Sequence, residues 1–159
     1  GLQRHVPNAV IMLAPYVNSY RRLTQGSAAP VNTCWGYDNR TTAFRVPRSD
    51  PSARRVENRI PSSDANPYLA LAASLACGLI GILEKTEPDS PAKTAVNNDL
   101  IELPRGLLEA VELLEADARL RDVLGEPFIT TYAAIKRVEF ETFMRVISPW
   151  EREYLLLNV

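Results

Sequence analysis

The chain has 159 residues, of which 46% are apolar and 23% are charged, and its formal net charge is −1. This length allows one domain with a real core, and this composition excludes a disordered chain. No stretch reaches the roughly 18 apolar residues of a membrane span. Two cysteines and a single histidine argue against a zinc site built from this chain alone.

The near-neutral total conceals an uneven distribution of charge. Residues 1–60 contain nine arginines and three acidic residues, whereas residues 61–159 contain nine basic and sixteen acidic residues. Arginine binds carboxylates and phosphates through two parallel hydrogen bonds. The first part of the chain is therefore the candidate site for an anionic ligand.

The first half of the sequence predicts strands followed by a helix. Residues 1–30 indicate a short helix or strand and then a polar turn. Two alternating runs rich in β-branched residues, TTAFRVP (41–47) and RRVENRI (54–60), predict two strands. Asn66 is typical of a helix N-cap and Pro67 of a first helical position, and this helix is predicted to extend to about residue 83.

The second half predicts mainly helices. Residues 84–100 are polar with two prolines and predict a surface loop. Apolar residues at helical spacing then predict two short helices that end at Gly125, a longer amphipathic helix over 126–148 and a last turn that Pro149 begins. The predicted fold class is α+β, with antiparallel strands in the first third followed by helices.

The RRVENRI run carries the candidate chemistry. Alternation along a strand places the side chains of Arg55, Glu57 and Arg59 on one face. One interpretation is a solvated ladder of ion pairs, which contributes little. The other is that the arginines hold anions and Glu57 holds a cation shared by those anions, which the repulsion among so many arginines favours. Arg40 and Arg45 are five residues apart, so a bulge or turn is needed to aim both at one site.

Three ordered motifs within residues 18–82 carry a family resemblance. They are NSYRRL followed by AP, WGYDNRT followed by FRVP, and ARRVENRIPSSDANPYLALAA. In this order and spacing they resemble the C-terminal catalytic region of the glutamine synthetase family. The resemblance implies that residues 1–159 are the C-terminal portion of such a catalytic domain, without its first part and without the N-terminal β-grasp domain. The absence of an initiator methionine agrees with a fragment, which we expect to be inactive alone.

The resemblance also implies a reaction. Members of this family are ADP-forming carbon–nitrogen ligases that make γ-glutamyl phosphate from glutamate and ATP, and an amine or ammonia then displaces the phosphate. Mg²⁺ or Mn²⁺ is the implied cofactor, and glutamate, ATP and an amine are the implied partners. We expect a cytoplasmic, ring-shaped homo-oligomer, such as a dodecamer of two hexamers, that binds neither nucleic acid nor a membrane.

Three arginines match family positions that bind glutamate. Arg22 resembles the arginine that binds the glutamate carboxylate, and Arg59 resembles a second glutamate-binding arginine. Arg40 resembles the catalytic arginine that reaches both the glutamate and the transferred phosphoryl group. Charged donors of this kind stabilise the charge that develops during phosphoryl transfer.

Three further residues match the nucleotide and metal positions. Arg45 and Arg55 resemble the arginines that bind the nucleotide phosphates, together with Arg40. Glu57 resembles a ligand of the divalent ion that bridges the phosphates. The resemblance thus accounts for a single carboxylate among many arginines.

Two positions depart from the pattern of authentic glutamine synthetases. A glutamate of the ammonium site, six residues after the arginine matched by Arg22, is replaced by Ala28. A basic residue that contacts nucleotide is replaced by Ser52. The first departure resembles the branch that ligates glutamate to larger amines, the γ-glutamylpolyamine and γ-glutamylputrescine synthetases, so a polyamine such as putrescine is the favoured acceptor.

Other hypotheses remain open. A true glutamine synthetase that uses ammonia is the nearest alternative. A non-enzyme, either an arginine-rich anion-binding module or a structural protein that has lost catalysis, is another. The arginine cluster lacks the interleaved aromatic residues of single-strand nucleic acid binders. Hydrolysis of ATP that needs both glutamate and Mg²⁺ would favour the enzyme.

Overall fold

A computed structural model describes residues 1–26, 29–92 and 101–156. The small sheet consists of β1 (Trp35–Tyr37), β2 (Phe44–Val46) and β3 (Glu57–Asn58). The helices are α1 (Leu2–Leu13), α2 (Val17–Tyr20), α3 (Pro67–Leu83), α4 (Leu107–Ala116), α5 (Ala118–Leu124), α6 (Glu126–Met144) and α7 (Pro149–Tyr154). The predicted α+β class, with strands in the first third and helices after them, is confirmed.

Helix α1 forms the centre of the hydrophobic core. Its side chains from Ala9 onward are almost wholly inaccessible, and Val10, Ile11 and Leu13 are each 0% exposed. It packs against α3 on one side and α4 on the other, and α4 packs in turn against α6. Burial of these apolar side chains is the main favourable contribution to folding.

Helix α3 begins where the sequence predicts. The Asn66 side chain accepts hydrogen bonds from the backbone N–H groups of Tyr68 and Leu69, and Pro67 occupies the first turn. The helix approaches α1 closely, because a Cβ at Gly81 would lie 2.2 Å from the Cα of Gly1. Glycine is therefore required where these two helices meet.

The C-terminal helices also follow the prediction, except that α6 ends at Met144, before its predicted end at 148. The Asp117 side chain caps α5 by accepting from the N–H groups of Arg119 and Leu120, and α5 ends at Gly125. Gly125 has φ +92°, a left-handed conformation that glycine adopts without steric cost. The Ser148 hydroxyl and Glu151 form a capping box at the start of α7.

The sheet corrects the predicted strand pairing. β2 pairs with β3 in the antiparallel sense, as predicted, but β1 pairs with β2 in parallel. The prediction did not include β1, whose three residues are too short for an alternating pattern. Parallel neighbours usually need a crossover of a dozen or more residues, but strands of three residues let the six-residue loop 38–43 return the chain.

The described residues contain neither a disulfide bond nor a helix that could span a membrane. Cys34 and Cys77 are free and buried, so neither forms a disulfide. Among the helices that the structure describes, none is long and apolar enough to cross a membrane.

Candidate active site

The centre of the candidate site is an ion pair between neighbouring strands. Arg45 of β2 stands opposite Glu57 of β3 in the antiparallel register. The Arg45 Nη1 donates to the Glu57 Oε2 at 2.8 Å. The Arg45 side chain is 17% exposed and that of Glu57 is 35% exposed, so one edge of the pair faces solvent.

Two other arginines act on the same carboxylate. The Arg55 Nη2 lies 3.5 Å from the Glu57 Oε1, so both carboxylate oxygens face a guanidinium. Arg40, exposed in the turn before β2, also exerts its positive charge on Glu57. Because Arg40 lies in this turn and not in β2, the alternation of faces along a strand does not separate it from Arg45. The structure thus gathers Arg40, Arg45 and Arg55 around one glutamate.

The hydrogen bond between Arg45 and Glu57 favours the charged form of both residues. The hydrogen bond from Arg45 lowers the pKa of Glu57, and the charges of Arg45, Arg55 and Arg40 lower it further. The same hydrogen bond raises the pKa of Arg45. Glu57 is therefore ionised at neutral pH and available as an oxygen ligand for a hard cation.

Asp38 holds the other side of Arg45. The Arg45 Nη2 donates to the Asp38 Oδ1 at 3.1 Å, and the backbone N–H of Arg48 donates to the same oxygen at 3.3 Å. The sequence motifs assign no role to Asp38. Its location between the WG pair and the NR pair is visible in the sequence, but its contact with Arg45 depends on the parallel pairing of β1 with β2.

A second group of arginines lies beside the continuation of β3. The Arg59 Nη1 donates to the Thr42 carbonyl at 3.0 Å, and the Arg22 Nη2 donates to the Ile60 carbonyl. Burial lowers the pKa of Arg22, the charge of Arg59 lowers it further, and Asp64 opposes both. The charge of Arg59 therefore acts on Arg22, and neighbouring guanidiniums of this kind attract anions.

The loop between β3 and α3 is held by a hydroxyl–carboxylate network. The Ser62 N–H donates to the Leu13 carbonyl at 2.8 Å, which ties the loop to the end of α1. The Ser19 hydroxyl donates to the Asp64 carboxylate at 3.3 Å, and the Ser62 hydroxyl donates to the same group. The network fixes α2, and with it Arg22, against the loop. For this segment the sequence favours a capping role over an anion site at the helix N-terminus, and Asn66 does cap α3.

Glu57 is the candidate metal ligand among the described residues. Glu57 is an ionised carboxylate beside arginines, a residue type that pairs with anions, and this combination suits a divalent ion bound together with phosphates. Within residues 1–26, 29–92 and 101–156, no group of three or more His, Cys, Asp or Glu side chains could hold a metal ion. Glu57 fits as one ligand, and further ligands would come from outside the described residues.

Of the two departures from the family pattern, Ser52 is among the described residues and Ala28 is not. Ser52 lies in an exposed turn of 3-10 helix at Pro51–Ala53, close in sequence to Arg55. Ala28 lies outside the described residues. The interpretation of Ala28 therefore depends on the sequence alone.

Known proteins resemble this chain over nearly its full length. The γ-glutamylethanolamide synthetase of Streptomyces coelicolor is 39% identical over 89% of this chain and 30% of its own length. The glutamine synthetase of Thermus thermophilus is 35% identical over 98% of this chain and 37% of its own length. A solved structure of GmaS without ligand superposes with a TM-score of 0.86 at 35% identity, covering 98% of this chain and 36% of that one.

The length of these matches shows which family the chain belongs to and how much of a family member it covers. The chain spans about a third of the length of the curated relatives it matches, between 30% and 37% for those just described. The catalytic domain of glutamine synthetase, as a sequence family, matches residues 1–155. This chain therefore belongs to the glutamine synthetase catalytic domain family.

Proposed function

We propose that this chain is the C-terminal part of the catalytic domain of an ATP- and Mg²⁺-dependent glutamate–amine ligase. The observation that carries the proposal is the gathering of Arg40, Arg45 and Arg55 around Glu57, with Arg22 and Arg59 beside the same strand. An isolated surface ladder would not need three arginines around one carboxylate and two more beside the same strand. A site for two anionic substrates and a cation needs this composition.

The proposed reaction has two steps. The γ-carboxylate of glutamate attacks the terminal phosphorus of ATP, which gives γ-glutamyl phosphate and ADP. The amine then attacks the acyl carbon, phosphate leaves, and the amine nitrogen loses a proton as the amide forms. Both steps move negative charge between oxygens, so positioned positive groups lower the barrier more than they stabilise the substrates.

Each arginine has a proposed role in these steps. Arg22 and Arg59 hold the carboxylates of glutamate, and Arg40 reaches both the glutamate and the transferred phosphoryl group. Arg45 and Arg55 hold the nucleotide phosphates. All five are guanidiniums, which bind planar and tetrahedral oxyanions through paired donors.

Glu57 would hold the divalent ion, Mg²⁺ or Mn²⁺. When bound, the ion would neutralise the phosphate oxygens and align them for transfer. Glu57 contributes an ionised carboxylate whose two oxygens now face Arg45 and Arg55. For Glu57 to take a cation, one or both arginines must turn toward the phosphates.

The proposed acceptor is an organic amine, with putrescine or another polyamine favoured. Ala28 stands where the family places a carboxylate of the ammonium site, so attraction for a small cation is reduced there. The 39% identity with a relative named γ-glutamylethanolamide synthetase supports an organic amine of some kind. The relatives named glutamine synthetase support ammonia as the alternative.

The remaining parts of the protein are also proposed from the family. We expect an N-terminal β-grasp domain and the first part of the catalytic domain to complete the site in the whole protein. As in the family, we expect the whole protein to form a cytoplasmic ring of identical subunits, such as a dodecamer of two hexamers. The residues of this chain alone would then be inactive, because the other ligands of Mg²⁺ would be missing.

The test is release of phosphate by the whole protein that carries this chain. The reaction contains ATP, Mg²⁺ and glutamate, with putrescine, spermidine, ethanolamine or ammonium added in turn. Release that needs glutamate and is stimulated by an organic amine but not by ammonium supports the proposal as stated. Stimulation by ammonium alone would replace it with a glutamine synthetase, and no glutamate-dependent release with any amine would refute the ligase.

A further inference from the structure

The backbone at Asp38 fixes that residue beside Arg45. Asp38 directly follows β1, and its N–H donates to the Val46 carbonyl at 3.1 Å, which continues the parallel pairing with β2. Its φ is +47°, in the left-handed region that aspartate and asparagine enter more readily than most residues. This conformation turns the chain out of β1 and into loop 38–43. The fold therefore fixes the Asp38 backbone, and with it the direction of the Cβ, beside Arg45.

Arg45 is held from two sides by opposite charges. Its Nη1 donates to the Glu57 Oε2 at 2.8 Å, and its Nη2 donates to the Asp38 Oδ1 at 3.1 Å. Asp38 is itself oriented by the backbone N–H of Arg48, and the Arg48 Nε lies 4.0 Å from the Asp38 Oδ2. The Arg45 side chain is 17% exposed, and each of its two terminal nitrogens donates to a carboxylate.

The two carboxylates have different tasks under the proposed function. Glu57 must release Arg45, at least in part, when it takes a divalent cation. If Glu57 were its only carboxylate partner, Arg45 would lose its hydrogen-bond acceptor at the moment when the phosphates bind. A second carboxylate that never contacts the cation would prevent this loss.

We propose that Asp38 is a positioning residue that keeps the Arg45 guanidinium aimed at the nucleotide phosphates while Glu57 binds the cation. The inference rests on the proposed function. Asp38 acts through Arg45 and does not touch substrate. Its carboxylate is 45% exposed, so it can hold Arg45 without the large desolvation cost of a fully buried ion pair.

The test compares two aspartates in the whole protein. Asp38→Asn retains the size, one acceptor oxygen and the tolerance for positive φ, and it replaces the other oxygen and the charge by a neutral NH2 group. Asp50→Asn makes the same change at an exposed residue nearby in sequence, whose side chain has no ion pair or hydrogen bond to the residues that the structure describes. The measurements are KM for ATP and kcat in glutamate-dependent phosphate release, together with the melting temperature.

We expect Asp38→Asn to raise KM for ATP about tenfold, an effect within the range of coupling energies measured between residues in direct contact. It should change kcat and the melting temperature little. We expect Asp50→Asn to match the wild type. In an Arg45→Ala background, Asp38→Asn should not weaken ATP binding further, as measured by titration calorimetry. That background separates action through Arg45 from a general effect of charge.

Three results would overturn the inference. The first is an equal KM for ATP in the Asp38→Asn and Asp50→Asn proteins. The second is further weakening of ATP binding by Asp38→Asn in the Arg45→Ala background. The third is a loss of kcat in Asp38→Asn that parallels a fall in its melting temperature. Wild-type protein without glutamate-dependent phosphate release would refute the proposed function and this inference together. The wild-type control therefore distinguishes the two failures.

Discussion

The helical body and the three-stranded sheet of this chain are stabilised by different interactions. Between α1, α4 and α6 the side chains are apolar and inaccessible, and Ile11, Leu114 and Ile129 are each 0% exposed. The sheet is small, and its central contact is the partly exposed ion pair between Arg45 and Glu57. Burial of apolar surface contributes much more to folding than exposed ion pairs do.

This difference separates stability from chemistry within one chain. Substitutions in the helical body should lower the free energy of unfolding through lost packing. Substitutions in the charged cluster should alter ligand binding and catalysis and leave stability almost unchanged. That separation can be tested by substitution, beginning with the largest expected effect on stability.

The largest effect is expected at Ile11 of α1. Ile11→Ala removes a side chain that is 0% exposed and leaves a cavity, so we expect a loss of about 2–5 kcal/mol in the free energy of unfolding. Urea unfolding followed by circular dichroism measures it. The matched control is Ile135→Ala, at a side chain that is 51% exposed, with an expected change within about 0.5 kcal/mol. Equal losses would contradict a core centred on α1.

A smaller, pH-dependent effect is expected at Asp117. Burial acts to raise the pKa of Asp117, but hydrogen bonds from Asn8, Leu120 and Arg119 and the charge of His5 outweigh it, so the pKa is lowered. A lowered pKa in the folded state adds stability above the ordinary pKa, and this stability is lost as pH falls through the folded pKa. Asp117→Asn should cost about 1–2 kcal/mol at pH 7.

The same substitution predicts a pH profile. The difference in unfolding free energy between wild type and Asp117→Asn should be greatest above about pH 5 and should shrink below about pH 4. Urea unfolding at a series of pH values measures it. A difference that stays constant from about pH 7 to about pH 3 would show that the charge of Asp117 does not matter for stability.

The cap of α3 predicts an effect of about 1 kcal/mol. Asn66→Ala leaves the N–H groups of Tyr68 and Leu69 without the side-chain oxygen that now accepts from them. Ser63→Ala is the control, at an exposed residue of the same loop. An unfolding free energy for Asn66→Ala no lower than that of Ser63→Ala would show that the cap contributes nothing.

The smallest effect is expected at an exposed ion pair. Arg105 and Glu102 lie 2.7 Å apart, but their side chains are 75% and 62% exposed. Arg105→Ala should change the free energy of unfolding by less than about 0.5 kcal/mol. Comparison of urea unfolding at low and high salt checks it, and a loss above about 1 kcal/mol that disappears in salt would contradict it.

Elements whose signals are local could be predicted from the sequence. Asn66 and Pro67 marked the start of α3, and Gly125 marked the end of α5, because caps depend on neighbouring residues. The RRVENRI run was correctly assigned to the sheet, although only Glu57–Asn58 pair as a strand there. The polar loop predicted for 84–100 has no helix or strand in 87–92, and 93–100 lie outside the described residues.

Contacts between distant segments could not be predicted from spacing. The parallel pairing of β1 brings Asp38 to Arg45, and no pattern in residues 35–37 indicates a strand. Alternation predicted a shared face for Arg55, Glu57 and Arg59, yet the Arg59 guanidinium donates to the Thr42 carbonyl. The family motifs identified the residues of the candidate site, whereas the fold determines which of them touch.

The most direct test of the account is the Mg²⁺ dependence of a Glu57→Gln protein, with Glu102→Gln as the matched change at an exposed carboxylate. We expect Glu57→Gln to lower glutamate-dependent phosphate release at least about 100-fold, since even indirect partners of a metal contribute roughly 10–100-fold. Its melting temperature should stay within about 2 °C of the wild type. Phosphate release and Mg²⁺ dependence equal to those of Glu102→Gln would show that the arginines around Glu57 form only a surface ion-pair cluster.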